Sequence, residues 1–550
     1  MKLKTKKIDL HPLPKRQVVI TMTGVMLALF LASLDQTIVG TAMPRIITDL
    51  GGFTRYTWVI TAYIIASTLT LLIVGKLSDM YGRKWFLTAG IVIFIVGSIL
   101  CGISQTMTQL ILFRAFQGIG AGSIMGLSFI ITGDLFSPSD RGKYMGFVGA
   151  VFGLSSVIGP TLGGYITDTL SWHWVFFVNI PLGIVVIPLF VLFFPYLRTD
   201  FQKHKFDYPG IITLILAVIS TMLGLSLAGV DYNWLSPPIL GMFSFSLVML
   251  ILFVIIESRS EEPIIPLSIF KDQIVSVSSI VIFFTGFAMF SGIIFIPLYF
   301  QGVLGSSATA SGNFLTPMML GMVIASIISG QLLSRAGGHY RFQGAVGFVI
   351  MALGMFLLSR MTVDTSYVRA ITNIVLVGFG LGITMPLYTI SVQNAVPYAF
   401  LGIATSTVNF FRQIGGAFGL AILGSIMNNR FYTEFVAALP PQIKGVIPSE
   451  QLTSLASNPQ ALVSTEAQGH LKSLFAAFGT QGTELFEQGL SALRQALNSA
   501  LAEVFLLGLV VTILAFIINI FLKEIPLRKQ IDDLPPKTSP AFTDKEQGLR

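Results

Sequence analysis

Fourteen apolar runs, each close to the length that crosses a bilayer, leave this chain few ways to fold. A span needs about 20 such residues to cross roughly 30 Å of hydrocarbon. The runs fall at 17–40, 56–77, 86–105, 109–132, 145–168, 174–195, 210–229, 239–257, 276–300, 313–334, 343–360, 369–389, 403–427 and 503–522. Each is expected to be a helix, which makes the chain an all-α polytopic membrane protein. Composition agrees. Of 550 residues, 53% are hydrophobic and 11% charged, whereas a soluble domain carries about a quarter charged residues. Such a chain cannot cover a water-facing surface, but it suits one that faces lipid, where charge is expensive.

The net charge of +8 does not point to nucleic acid, because the bases sit between the apolar runs. If the N-terminus is placed inside and the spans alternate, 24 of the 34 Lys and Arg fall on inner segments and eight on outer ones. That bias puts both termini in the cytoplasm and favours an even number of spans. The basic stretch 1–16 leads into a span without a small-residue cleavage pattern, so no removable leader is expected. The single cysteine, Cys101, lies in an apolar run and excludes an internal disulfide or a Cys-based metal site. One long polar segment, 428–502, falls outside, with two Ala/Leu-rich stretches at 449–462 and 484–502 that read as short amphipathic helices.

The chain repeats itself. Gly75-Lys-Leu-Ser-Asp-Met-Tyr-Gly82 follows the second span, and Gly330-Gln-Leu-Leu-Ser-Arg-Ala-Gly337 stands 255 residues on. At the same offset Phe113-Arg114-Ala115 matches Val368-Arg369-Ala370. The spacing implies a duplicated six-helix unit, with spans seven and eight inserted between the copies. The expected organisation is a tail 1–16, a first six-helix bundle 17–195, two linker helices 196–260, a second bundle 261–522 that includes the outer segment 428–502, and a tail 523–550. Duplicated halves of this kind place a substrate site at their interface.

Asp35 is the one carboxylate expected well inside a span, about 9 Å from the outer end at 1.5 Å per residue. Low dielectric favours its neutral form and equips it to exchange protons. Arg114, in the fourth span, lies at similar depth, and a buried Arg needs a partner. The run Gln117-Gly-Ile-Gly-Ala-Gly122 has no strand before it and reads as helix packing rather than a nucleotide loop. Between spans two and three, Gly75, Asp79, Gly82, Arg83 and Lys84 form a short gating loop in which Asp79 pairs with a base or a helix N-terminus. In the fifth span Gly153, Gly159, Pro160, Gly163 and Gly164 combine close-packing faces with a bend. Arg412 is expected near the membrane midplane, in reach of an anionic group. Tyr63, Phe295, Tyr299, Met318 and Phe410, with Gln36, are candidate cavity residues.

These motifs resemble the major facilitator superfamily, in particular its fourteen-helix drug:proton antiporter branch of EmrB/QacA type. Gly75 to Lys84 is similar to the superfamily's loop 2–3 motif, Gly153 to Gly164 to the fifth-helix antiporter motif, and Leu34-Asp35-Gln36-Thr37-Ile38-Val39 with Ala42-Met43-Pro44 to the branch's first helix. Arg114-Ala-Phe-Gln-Gly118 and Phe411-Arg412-Gln413-Ile414-Gly415-Gly416 resemble its fourth and thirteenth helices. The resemblance implies a proton-coupled multidrug exporter working by alternating access in a bacterial inner or plasma membrane, with Asp35 and Arg114 coupling the proton. The expected substrates are amphipathic, cationic or lipophilic compounds. It implies no cofactor or metal, only the proton gradient, and as partners substrate, protons and lipid, with the chain a monomer. An outer adaptor is left open. The chain departs from the branch at Gly40 and His173, and its second half lacks a membrane acid, which argues against dication export. A lipid exporter is the alternative. An enzyme is not expected: His11, His173, His204, His339 and His470 all lie outside span interiors and no Gly-x-Ser-x-Gly occurs.

Overall fold

Uninterrupted apolar sequence gives long helices here because hydrocarbon offers a backbone N–H or C=O no other partner than its own helix. The computed structural model describes residues 14–50, 56–194, 207–229, 232–305, 308–336, 338–439 and 480–528. Among the described residues, fourteen helices are long and apolar enough to cross a membrane. They are α1 (Lys15–Leu50), α2 (Tyr56–Tyr81), α3 (Arg83–Gly102), α4 (Met107–Leu135), α5 (Pro138–Thr169), α6 (Trp174–Phe193), α7 (Tyr208–Leu227) and α8 (Pro237–Arg259). After them come α9 (Gln273–Leu298), α10 (Ala308–Ala336), α11 (Tyr340–Ser359), α12 (Tyr367–Ala395), α13 (Leu401–Ala438) and α14 (Thr480–Ile520). Each expected span overlaps one of them.

The duplication is visible in the packing. In the first half α2 and α3 pack on α4, and α1 on α5; in the second α10 and α11 pack on α12, and α9 on α13. The pattern repeats with a shift of eight helices, so α1–α6 and α9–α14 are equivalent six-helix bundles and α7–α8 are inserted. The bundles meet through α5 against α10 and α2 against α13. Small residues let these helices touch backbone to backbone, which does in lipid what apolar burial does in water. Gly142 and Gly330 face each other so closely that a Cβ on either would overlap the other's carbonyl oxygen, and Gly75 lies flush against Ser406.

The α10–α11 turn at Gly338 meets Ile525 and Leu527 beyond α14, and the α2–α3 turn meets the start of α13 through Asp79. With an even number of helices, α1 also begins at this end. It is called the terminal end below, and the opposite one the far end. The inserted pair straddles both halves: α7 packs on α2 and on α13, and Trp234 Nε1 donates to Ser425 Oγ at 2.9 Å near the far end. Helix α8 leaves an apolar face exposed, including Leu247, Val248 and Ile251, which suits lipid.

The stretch 484–502 is not a separate amphipathic helix. It is the first part of α14, a single helix of 41 residues, and α13 runs for 38. At 1.5 Å per residue both reach well past a bilayer's hydrocarbon. The two extensions stay helical because they bury a shared seam of Phe431, Phe435, Leu493 and Leu497 and are tied by Arg430, which bridges Glu434 at 3.0 Å and Glu503 at 3.2 Å. The stretch 449–462 lies outside the described residues.

Candidate functional site

Asp35 sits on α1 fifteen residues before that helix ends at Leu50, about 22 Å along the axis, because α1 continues past its apolar stretch. Its carboxylate is fully buried. Oδ2 accepts from Arg114 Nη1 at 2.6 Å, and Oδ1 accepts from Gln117 Nε2 at 2.8 Å and Asn179 Nδ2 at 2.9 Å. Arg114 Nη1 also donates to Gln117 Oε1 at 2.8 Å. Ser98 Oγ accepts from Gln117 and Asn179 at 3.0 and 2.8 Å. The guanidinium lies 4.0 Å from the centre of the Tyr63 ring, and Cys101 Sγ stands 3.6 Å from Gln117 Oε1. A buried ion pair is tolerable only when the remaining lone pairs and protons are met, and this ring of amides and a hydroxyl meets them. Protonating the carboxylate would remove the charge that holds Arg114 and the reason the amides point inward.

At the terminal end the α2–α3 turn is the single residue Gly82, whose φ of 91° suits glycine. It brings Arg83 back over α2. Arg83 is completely buried and donates to Asp79 at 2.5 Å, to Asp134 at 2.8 Å and to Ser78 at 2.6 Å. Asp79 Oδ2 accepts from the backbone N of Ile403 at 3.0 Å. That N–H is in the first turn of α13 and has no partner within the helix, so one carboxylate of the first half caps a helix of the second. Gly402 leaves room for it: a Cβ there would overlap Asp79. Lys84 lies 5.9 Å from the Trp85 ring.

In α5, Gly153 faces Val323 of the other half, while Gly159 and Gly163 face Thr37, Ile38 and Thr41 of α1. Thr37 Oγ1 donates to Ser155 O at 3.0 Å. Gly40 and Gly164 have nothing within 4 Å of where a side chain would begin, and Gln36 is half-buried. These approaches between halves, from Gly142–Gly330 to Gly153–Val323 on one seam and at Asp79–Ile403 and Gly75–Ser406 on the other, run from the terminal end to about mid-helix. Where they stop, Arg412 closes the floor, its guanidinium 5.2 Å from the Phe129 ring centre. It borders a narrow space between the halves, walled by Met145, Phe152, Met322 and Met385.

The other residues singled out by sequence do not gather around that space. Tyr63 belongs to the Asp35 cluster. Phe295 and Met318 are buried within the second half, Tyr299 donates to Thr362 O at 2.8 Å, and Phe410 stacks edge-on against Phe411. Sequence reasoning read Gln117 only as part of a packing run and a motif, and passed over Asn179, Ser98 and Asp134. Gln117 had a signal, since three residues after Arg114 it shares that residue's helix face. Asp134, an acid at a span end, and Asn179 carried no such signal.

The Major Facilitator Superfamily model matches residues 25–420. The chain belongs to the Major Facilitator Superfamily. It is 40% identical over 530 residues to the multidrug transporter protein MdtP of Bacillus subtilis (strain 168), covering 94% of this chain and 96% of MdtP. It is 39% identical over 499 residues to multidrug resistance protein 3 of the same organism, covering 91% and 94%. Among solved structures, the human organic anion transporter MFSD10 (TETRAN) aligns with a TM-score of 0.57 at 14% identity, over 91% of this chain and 99% of its own. A bacterial homologue of the lysosomal transporter Spinster, inward-facing and unoccupied, aligns at 0.55 and 14%, over 92% and 98%. These two show the fold alone. With fourteen helices among the described residues long and apolar enough to cross a membrane, this Major Facilitator Superfamily protein falls in the fourteen-helix branch that its motifs resemble, and it is a multi-pass membrane transporter rather than an enzyme.

Proposed function

We propose that the chain is a proton-coupled multidrug efflux antiporter of a bacterial plasma membrane, exporting amphipathic lipophilic compounds by alternating access. The observation that carries this reading is the fully buried Asp35–Arg114 pair, sealed inside the first half, beside helices that meet the second half from the terminal end to mid-helix. The names of the two Bacillus relatives support multidrug export. The bias of Lys and Arg supports a cytoplasmic terminal end, and on that orientation the halves are shut toward the cytoplasm and the far end is the outer one. The cycle then runs as exchange. A proton from outside neutralises Asp35, Arg114 loses its counter-ion, and the latch at Asp79 yields to a state open to the cytoplasm. Substrate bound there favours return of the proton to the inside. No cofactor or metal takes part, and the working unit is a monomer.

The test is transport in proteoliposomes holding the purified full chain, with an imposed pH gradient and a panel of cationic dyes, lipophilic acids and lipids. The expected result is accumulation of at least one of the dyes or lipophilic acids that collapses when a protonophore is added. Gradient-independent lipid scrambling with no dye movement would replace this reading with lipid export.

A further inference from the structure

Arg412 is a cation near the middle of a membrane helix, eleven residues from the start of α13 at Leu401, about 16 Å along its axis. It is 7% exposed, and its Nη1 is shut away from solvent and meets no acceptor. The buried arginines of the first half have protein acceptors: Arg83 has Asp79 and Asp134, Arg114 has Asp35, and Arg141, whose Nη1 also meets none, has the carbonyls of Phe136 and Gly133 for its other nitrogens, whereas among the described residues no side-chain or backbone acceptor lies on the Arg412 guanidinium. Arg412 has the face of Phe129, which replaces only part of the hydration a guanidinium gives up. The residues lining the adjoining space include no Asp or Glu, only Met, Phe and small side chains with Ser326. A buried charge without a counter-charge is costly. Here it lies at the interface of the two halves, where transporters of this architecture hold their cargo.

We infer that Arg412 is the counter-ion for an anionic head group, so that the compounds carried are amphipathic anions, a carboxylate or sulfonate on an apolar body. The planar guanidinium fits a carboxylate through paired N–H donors. The three methionines around it, Met145, Met322 and Met385, adapt to apolar bodies of differing shape, as an exporter of many compounds requires. Asp35, locked to Arg114 within the first half, does not supply the contact with substrate charge; it carries the proton. This inference rests on the efflux reading for its biological direction, but the binding preference stands on Arg412 itself.

The experiment uses three probes with one apolar body: pyrenebutyrate, its methyl ester, and pyrenylbutyl-trimethylammonium. Binding to the full chain in nanodiscs is read by tryptophan-to-pyrene energy transfer, with protein-free nanodiscs subtracted. The carboxylate is expected to bind at least tenfold more tightly than the ester or the ammonium. Arg412→Met should bring the carboxylate down to the ester's affinity and leave the ester within twofold. Ser326→Asp, which places a carboxylate in the same space, should also abolish the preference while giving Arg412 the partner it lacks. Arg412→Lys should keep a reduced preference. Equal binding of the three probes by the unaltered chain, or a preference that survives both Arg412→Met and Ser326→Asp, would overturn the inference. If Arg412→Met does not fold, Ser326→Asp decides alone. A carboxylate preference without gradient-driven transport would sink the efflux reading and leave this one. Gradient-driven transport with no head-group preference would do the reverse.

Discussion

At Asp35 a single carboxylate takes three hydrogen bonds from Arg114, Gln117 and Asn179, and none of these donors has another strong acceptor of equal charge. Asp35→Asn keeps the shape and removes the charge. Leaving one partner of a buried pair uncompensated costs about 3–5 kcal/mol, so the variant should melt at a lower temperature. Gradient-driven transport should fall to background, while exchange of substrate across equal pH persists, because exchange does not need a titrating group. Asp35→Glu should retain part of the driven transport. Driven, pH-dependent transport in Asp35→Asn at the normal rate would show that the proton travels elsewhere. This residue was legible because charge inside an apolar run is rare, and Arg114 was legible for the same reason. Asn179 was not. A neutral amide costs little to place at a helix start, so nothing in the sequence distinguished it from any other polar residue near a span end.

Among the elements, all fourteen helices were legible, since a bilayer demands length and apolarity and both are written locally in the chain. What joins one half to the other was only partly so. Asp79 announced itself as an acid among bases, but its acceptor role toward Ile403 depends on a contact 324 residues away in sequence. The length of α14 was hidden because its first turns face water and α13 rather than lipid, which blurs the apolar pattern. The terminal-end closure has a charged seam at Asp79 and an uncharged one at Gly142–Gly330; Ser334 stands where the repeat would put a second Asp79. Losing a hydrogen bond to a charged acceptor costs about 1.5–3 kcal/mol. Overpacking a seam costs about 1–3 kcal/mol. Asp79→Asn and Gly330→Val should therefore each move the equilibrium away from this state by roughly tenfold or more. Spin labels at Leu170 and Val368, both exposed at the far end of opposite halves, should report a shorter separation in either variant. An unchanged distance distribution in both would mean that neither seam holds the state.

Over the whole molecule, the question is whether two rigid bundles rock about the central site or whether helices rearrange within each half. The packing argues for rocking. Within a half, each helix is keyed to its neighbours by glycines that leave no slack, as at Gly120 against Phe94 and Gly378 against Met318, and close-packed interiors switch between discrete arrangements rather than deform continuously. Between halves the closest approaches involve small residues, Gly142 against Gly330 and Gly75 against Ser406, which separate without unpicking a core. If so, pinning α5 to α10 on the terminal side must stop the cycle. Gly149 and Ser326 suit a pin, because a Cβ built on Gly149 would lie 3.5 Å from Ser326 Cβ, within the roughly 3.5–4.5 Å that a disulfide spans. The chain's one cysteine is buried at Cys101, so Gly149→Cys with Ser326→Cys adds a pair with little competition. Oxidising that pair should reduce transport at least tenfold, and a reductant should restore it, whereas either single substitution should show no response to oxidant. Transport that continues with the crosslink complete would show that the seam between α5 and α10 stays shut throughout the cycle, and the path to the terminal side would then have to open within one half.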